Sequence, residues 1–184
     1  MARKRFNIPN ILTISRIALI PVIVATFFFK TSLAAWVGCG LFAIAAITDY
    51  FDGYLARRWN NISKFGRFLD PIADKLLVVS VLLMLAYAGT LTETSIFPAL
   101  IILCREILVS GLREFLAGLS VSVPVTQLAK WKTVLQLIAL PVLIAAPAIG
   151  DPGRQVGEGL LWAAAVLTLI SGYDYLRAGL KHMD

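Results

Sequence analysis

The chain has 184 residues, of which 59% are apolar and only 15% charged, and its mean hydropathy is +0.81. An average soluble domain carries about 25% charged residues, so this balance excludes a disordered chain and a soluble globule. It indicates an all-α integral membrane protein built as a single domain over residues 1–184. The net charge of +6 is too small and too dispersed for nucleic-acid binding.

Taken in chain order, Met1–Arg5 is basic and an apolar run follows Asn10. Arg16 interrupts that run and no small-residue cleavage pattern follows it, so a retained first helix is expected, not a secretory leader. Met1–Phe6 is expected to lie on the membrane surface as a short basic amphipathic piece. Six membrane spans are expected, at about 11–29, 33–57, 68–89, 95–117, 128–149 and 157–178, each near the roughly 20 residues that cross a bilayer. Breaks fall at Lys30–Ser32, Asn60–Ser63, Gly89–Thr90, Ser120–Pro124 and Gly150–Gly153, where helix-ending residues cluster. Cys39 and Cys104 lie inside apolar segments and read as core residues, not as a disulfide framework.

The basic residues orient this bundle. On the side of the termini stand Arg3, Lys4, Arg5, Arg57, Arg58, Lys64, Arg67, Arg113, Lys130, Lys132, Arg177 and Lys181, against Lys30 and Arg154 opposite. The positive-inside rule places both termini in the cytoplasm. His182 reads as a solvated polar residue, and the Tyr173-Asp174-Tyr175 run and the four tryptophans read as interfacial or packing residues.

Ionisable side chains inside spans are costly and mark functional sites. Here they are Arg16, Asp49, Asp52, Asp70, Asp74, Lys75, Arg105 and Glu106. Asp49 and Arg105 each lie eight residues from a cytoplasmic-end arginine, about 12 Å deep at 1.5 Å per residue. Asp74 lies at about 10 Å by the same rise. The opposite half of every span is almost free of charge. A transporter needs polar groups near the midplane and a route through both leaflets. An enzyme acting on lipid headgroups needs a polar pocket in one leaflet, and the charge distribution fits that reading.

Asp49 and Asp52 are spaced i,i+3, and Asp70 and Asp74 i,i+4, so each pair shares a helix face. A short polar turn joins the two helices, which are expected to run antiparallel with the pairs facing each other. Four carboxylates together repel strongly at low dielectric. Two divalent cations balance them, and hard oxygen donors indicate Mg²⁺ or Mn²⁺. Two such ions form a known clamp for displacement at phosphorus. Gly53, Ala56 and Gly66, interleaved with the aspartates, leave room for a planar base and its phosphates. Arg105, Arg113 and Lys130 are further cations toward the same end of their spans. Arg16 is left between pairing with an aspartate and reaching a phosphate, and Lys132 is expected to face lipid.

The pattern D-x2-D-G-x2-A-R-x8-G-x3-D-x3-D over Asp49–Asp74 resembles the signature of the CDP-alcohol phosphotransferase family. Asn7–Arg16, Arg105–Glu106, Gly111–Glu114 and Lys130–Thr133 resemble, within that family, bacterial members whose acceptor is sn-glycerol 3-phosphate. Ala129 departs from the pattern, where a glycine is expected. The resemblance implies transfer of a phosphatidyl group from CDP-diacylglycerol to that acceptor, with release of CMP. It implies that Asp49, Asp52, Asp70 and Asp74 hold the metals and that Asp74 is the base. It also implies that Gly53, Ala56, Arg57 and Gly66 line the cytidine site, while Asn10 and Thr13 hydrogen-bond the donor's pyrophosphate. Because the implied acceptor carries a phosphate, Arg105, Arg113 and Lys130 are the cations expected to bind it, with no carboxylate in front of them; the alternative for Arg105 is a salt bridge with Glu106 or Glu114. A homodimer in the bacterial inner membrane, with its active site facing the cytoplasm, is implied as well. The alternatives are another alcohol acceptor within the family or, from a different class, a divalent-cation transporter.

Overall fold

The computed structural model describes residues 8–59, 64–119, 121 and 127–180, with the side chains of 8–11, 50–59, 64, 65 and 67 left out. The expected basic piece at Met1–Phe6, the turn at Asn60–Ser63, most of the break at Ser120–Pro124 and His182 lie outside the described residues. Long helices account for nearly all of the rest: α1 (Ile8–Thr26), α2 (Ser32–Trp59), α3 (Lys64–Tyr87), α4 (Ile96–Gly118), α5 (Gln127–Ile149) and α6 (Asp151–Leu180), with one 3-10 turn at Glu93–Ser95 before α4. No strand occurs among the described residues.

Among the described residues, four stretches are long and apolar enough to cross a membrane: Ser32–Asp49, Glu93–Gly118, Gln127–Ile149 and Asp151–Leu180. In α1 the apolar stretch Leu12–Thr26 is shorter, and α3 carries Asp70, Asp74 and Lys75 within its span, which lowers its apolar character. The outer surface presents large apolar side chains such as Leu33, Phe68, Leu83 and Leu169. A soluble protein does not expose so many; acyl chains cover them in a bilayer. The chain is a multi-pass membrane protein.

Turn chemistry explains the helix boundaries. Gly89 has a φ of +67°, and Thr90 N–H donates to Leu85 O while Gly89 N–H donates to Ala86 O. These bonds form the double C-cap that a left-handed glycine permits. Gly150, with a φ of +92°, alone turns the chain between α5 and α6. The expected break at Gly150–Gly153 is therefore shorter than the sequence suggests. Asp151 and Pro152 already belong to the first turn of α6, where a proline loses no intrahelical bond.

Contacts fix the directions of the helices. Thr13 meets Asp70 and Arg16 meets Asp74, so α1 and α3 run parallel. Arg16 meets Asp49, and Thr26 lies against Gly38, so α2 runs opposite to α1. A Cβ on Gly157 would come within 2.7 Å of Leu143, so the α5–α6 contact depends on a small residue there, as close helix pairs in membranes generally do. The main core, including Ile23, Phe42, Leu85, Ile102, Leu140 and Leu161, fills the bundle away from the aspartates.

Candidate active site

Arg16 is almost completely buried, at 1% exposure, and its position on α1 between α2 and α3 explains why. Its Nη1 lies 2.8 Å from Asp49 Oδ1 and 2.8 Å from Asp74 Oδ1. Carboxylates from two helices thus share one guanidinium nitrogen, and their oxygens are at most twice that distance apart. Three residues earlier on the same helix, Thr13 is buried and its hydroxyl donates to Asp70 Oδ1. One helix therefore positions three of the four aspartates. Gly66 is buried on α3. The side chains of Asn10, Asp52, Gly53, Ala56 and Arg57 lie outside the described residues. Among the described residues, no three histidine, cysteine, aspartate or glutamate side chains form a group able to enclose a metal ion.

A cavity of about 350 Å³ opens beside this cluster. Asp49, Asp74, Arg16 and Lys75 form one part of its wall, and Arg105, Glu106, Arg113 and Lys132 another. Arg105 crosses from α4 toward α6. Its Nη2 donates to Ser171 Oγ at 3.2 Å, its Nη1 lies 3.6 Å from Glu106 Oε1, and its buried Nε has no hydrogen-bond partner among the described residues. Gly172 makes room for this side chain, because a Cβ there would stand 3.0 Å from Arg105 Cγ. Arg113 is exposed and lies over the Tyr175 ring, 5.7 Å from its centroid, within cation–π range. Lys75 donates to Ser110 Oγ across the α3–α4 contact.

Three expectations from sequence are corrected here. Lys132 does not face lipid: it is 5% exposed, lines the cavity and donates to Glu106. It shares a stripe of α5 with buried Gln136, Ala139, Leu140 and Leu143, at the helical spacing of a single face. Lys130, two residues earlier, is exposed and does not line the cavity. The cationic wall is also not free of carboxylates, because Glu106 contacts both Arg105 and Lys132. Sequence reasoning missed Ser171 and Gly172 altogether. The one available signal was the run of small residues along α6.

An all-helical membrane bundle that gathers aspartates at one end of a cavity and cations at the other defines a class suited to transferring phosphate-linked groups at a membrane. The chain matches the CDP-alcohol phosphatidyltransferase family over residues 6–170, and it belongs to that family. It is 52% identical over 182 residues to a protein of Rickettsia bellii named CDP-diacylglycerol–glycerol-3-phosphate 3-phosphatidyltransferase, covering 96% of this chain and 97% of that one. Proteins of the same name from Salmonella typhimurium and Cereibacter sphaeroides are 44% and 38% identical, over 95% and 97% of both chains in each case.

Proposed function

We propose that this chain transfers the phosphatidyl group of CDP-diacylglycerol to the 1-hydroxyl of sn-glycerol 3-phosphate, giving phosphatidylglycerophosphate and CMP. The observation that carries this reading is the single cavity whose wall holds Asp49 and Asp74 together with Arg105, Arg113 and Lys132. The aspartates can hold the cations that a donor pyrophosphate needs, and the basic side chains can meet an acceptor phosphate directly, so this cavity can take both anions. Near-full-length similarity to relatives named for this reaction supports it.

The family implies divalent cations, and the donor set fits them. Asp49, Asp70 and Asp74 are hard oxygen ligands, and two of them already converge on one positive group. With Asp52, they would hold the ions, which supply charge neutralisation at the transferring and departing phosphates. In this scheme Asp74 accepts the proton of the acceptor's 1-hydroxyl. The freed oxygen bonds to the phosphatidyl phosphorus as the bond to CMP breaks. Arg16 holds Asp49 and Asp74 in register, and Thr13 does the same for Asp70. Arg105 and Arg113 bind the acceptor's phosphate, Arg105 through donors beyond the one spent on Ser171. Lys132 takes the place in that pocket first assigned to Lys130, with Glu106 fixing its ammonium group.

The reading extends to six spans with both termini in the cytoplasm, because α1 and α3, at 19 and 24 residues, approach the length that crosses a bilayer. The experiment that tests the function supplies purified protein with CDP-diacylglycerol, Mg²⁺ and a panel of alcohols and measures CMP release. Release with glycerol 3-phosphate, and not with serine, inositol or inositol phosphate, is expected. Silence with every alcohol refutes the reading.

A further inference from the structure

We propose, on the basis of the reaction above, that Gln136 binds the 2-hydroxyl of the acceptor and so sets which phosphorylated alcohol is used. The cavity of about 350 Å³ has two levels along the helices. The outer level is charged and holds Asp49, Asp74, Arg105 and Lys132. Within about one turn further into the bundle, some 5.4 Å along each axis, the same helices supply an inner level. Ala45 and Ala46 of α2, Leu77 and Val78 of α3, Leu103 of α4 and Gln136 of α5 stand there. Among the lining residues at this depth, Gln136 alone is polar.

Packing does not call for an amide at this position. Gln136 is 5% exposed, and Ala139, Leu140 and Leu143, which continue its face of α5 inward, are apolar and buried. Burying an amide costs free energy unless hydrogen bonds replace those to water, and a leucine of similar volume would fill the same space. Gln136 lines the cavity, so the little surface it keeps belongs to that wall. Thr133, the other neutral polar residue of the wall, is exposed and donates its hydroxyl proton to Ala129 O at 3.0 Å. An amide presents a carbonyl acceptor and an NH₂ donor together, which suits an alcohol that itself donates and accepts. The ionised groups of the outer level offer one function each: a carboxylate accepts, whereas ammonium and guanidinium groups donate. sn-Glycerol 3-phosphate laid from Arg105, Arg113 and Lys132 to Asp74 has its phosphate at one end and its reacting 1-hydroxyl at the other. Carbon 2 then lies between the two ends, and its hydroxyl meets the inner level, where Gln136 can bond it.

Steady-state CMP release by the full-length protein, with CDP-diacylglycerol and Mg²⁺ saturating, tests this with two acceptors. One is sn-glycerol 3-phosphate; the other is 3-hydroxypropyl phosphate, which keeps the phosphate and the primary hydroxyl but lacks the 2-hydroxyl. Wild type should favour sn-glycerol 3-phosphate in kcat/KM by about tenfold or more, the effect of leaving a buried polar group unbonded. Gln136→Leu should lose that factor with sn-glycerol 3-phosphate and match or exceed wild type with the analogue, so that its preference disappears. Equal losses with both acceptors would make Gln136 a packing residue and overturn the proposal. An unchanged preference in the variant overturns it too. So does a wild type that uses the two acceptors equally well, a comparison that needs no variant to fold. Failure of the reaction itself reads differently: wild type then releases no CMP with either acceptor, which removes the reaction and this assignment together.

Discussion

Arg16 joins stability to chemistry, since one buried nitrogen serves carboxylates from two helices. Arg16→Met leaves those carboxylates facing each other without their counter-charge. Removing one partner of a fully buried pair costs roughly 3–5 kcal/mol; Asp49 and Asp74 are 43% and 47% exposed, which places this loss at or below about 3 kcal/mol. A lowered Tm in detergent together with abolished CMP release is the expected result. Asp74→Asn separates the two effects: binding of CDP-diacylglycerol should persist while turnover disappears, and near-normal turnover would remove Asp74 from the role of base. The lysines of α5 give a paired test. Lys132→Met should raise the KM for glycerol 3-phosphate about tenfold or more, the worth of one charge-assisted contact, with the KM for the donor unchanged. Lys130→Met, at an exposed position, should stay within about twofold of wild type. The reverse ranking would restore the first assignment. The sequence could not make this choice, because positive charge near a helix end satisfies topology whichever way it points. α5 is also apolar around much of its circumference, so its pattern does not mark which face is inside.

At the scale of elements, the aspartate motif was legible because its spacing is local: two residue pairs on two consecutive helices. Their partner on α1 was legible only as one of two alternatives for Arg16, since Arg16 and Asp74 are 58 residues apart and nothing in local periodicity links them. The same limit hid the role of α6. Its buried face carries Gly153, Gly157, Ser171, Gly172 and Gly179 among larger residues, and small side chains are common at membrane helix contacts of every kind. The structure gives Gly172 a specific task, to admit Arg105 alongside Ser171. Gly172→Ala should therefore displace the guanidinium and raise the KM for glycerol 3-phosphate by about threefold to tenfold, without affecting donor binding. Gly159→Ala, on the same helix with open space around its Cβ position, is the control and should leave steady-state kinetics unchanged. Equal effects from the two substitutions would mean that α6 responds to alanine as a helix and not through Arg105.

At the scale of the molecule, most ionisable side chains described inside the bundle gather at one end, while Glu158, which accepts from Thr92 N–H, lies near the other. Arg16, Asp49, Asp74, Lys75, Arg105, Glu106 and Lys132 all border one cavity, and a second cavity, at the opposite end, has only Lys30 as a charged wall residue. A transporter of divalent cations needs acidic groups along a continuous path, whereas chemistry on a lipid headgroup needs them in one leaflet. In the orientation proposed above, with both termini in the cytoplasm, the aspartate cavity would open to that side, and glycerol 3-phosphate, a charged solute that does not cross lipid unaided, would reach it from there alone. Membrane vesicles preloaded with CDP-diacylglycerol test this directly. Inside-out vesicles should release CMP when glycerol 3-phosphate and Mg²⁺ are added outside, and right-side-out vesicles should do so only after detergent opens them. Equal activity in intact vesicles of both orientations would contradict the one-sided site, and Mg²⁺ flux through the purified protein in sealed liposomes lacking CDP-diacylglycerol would favour transport instead.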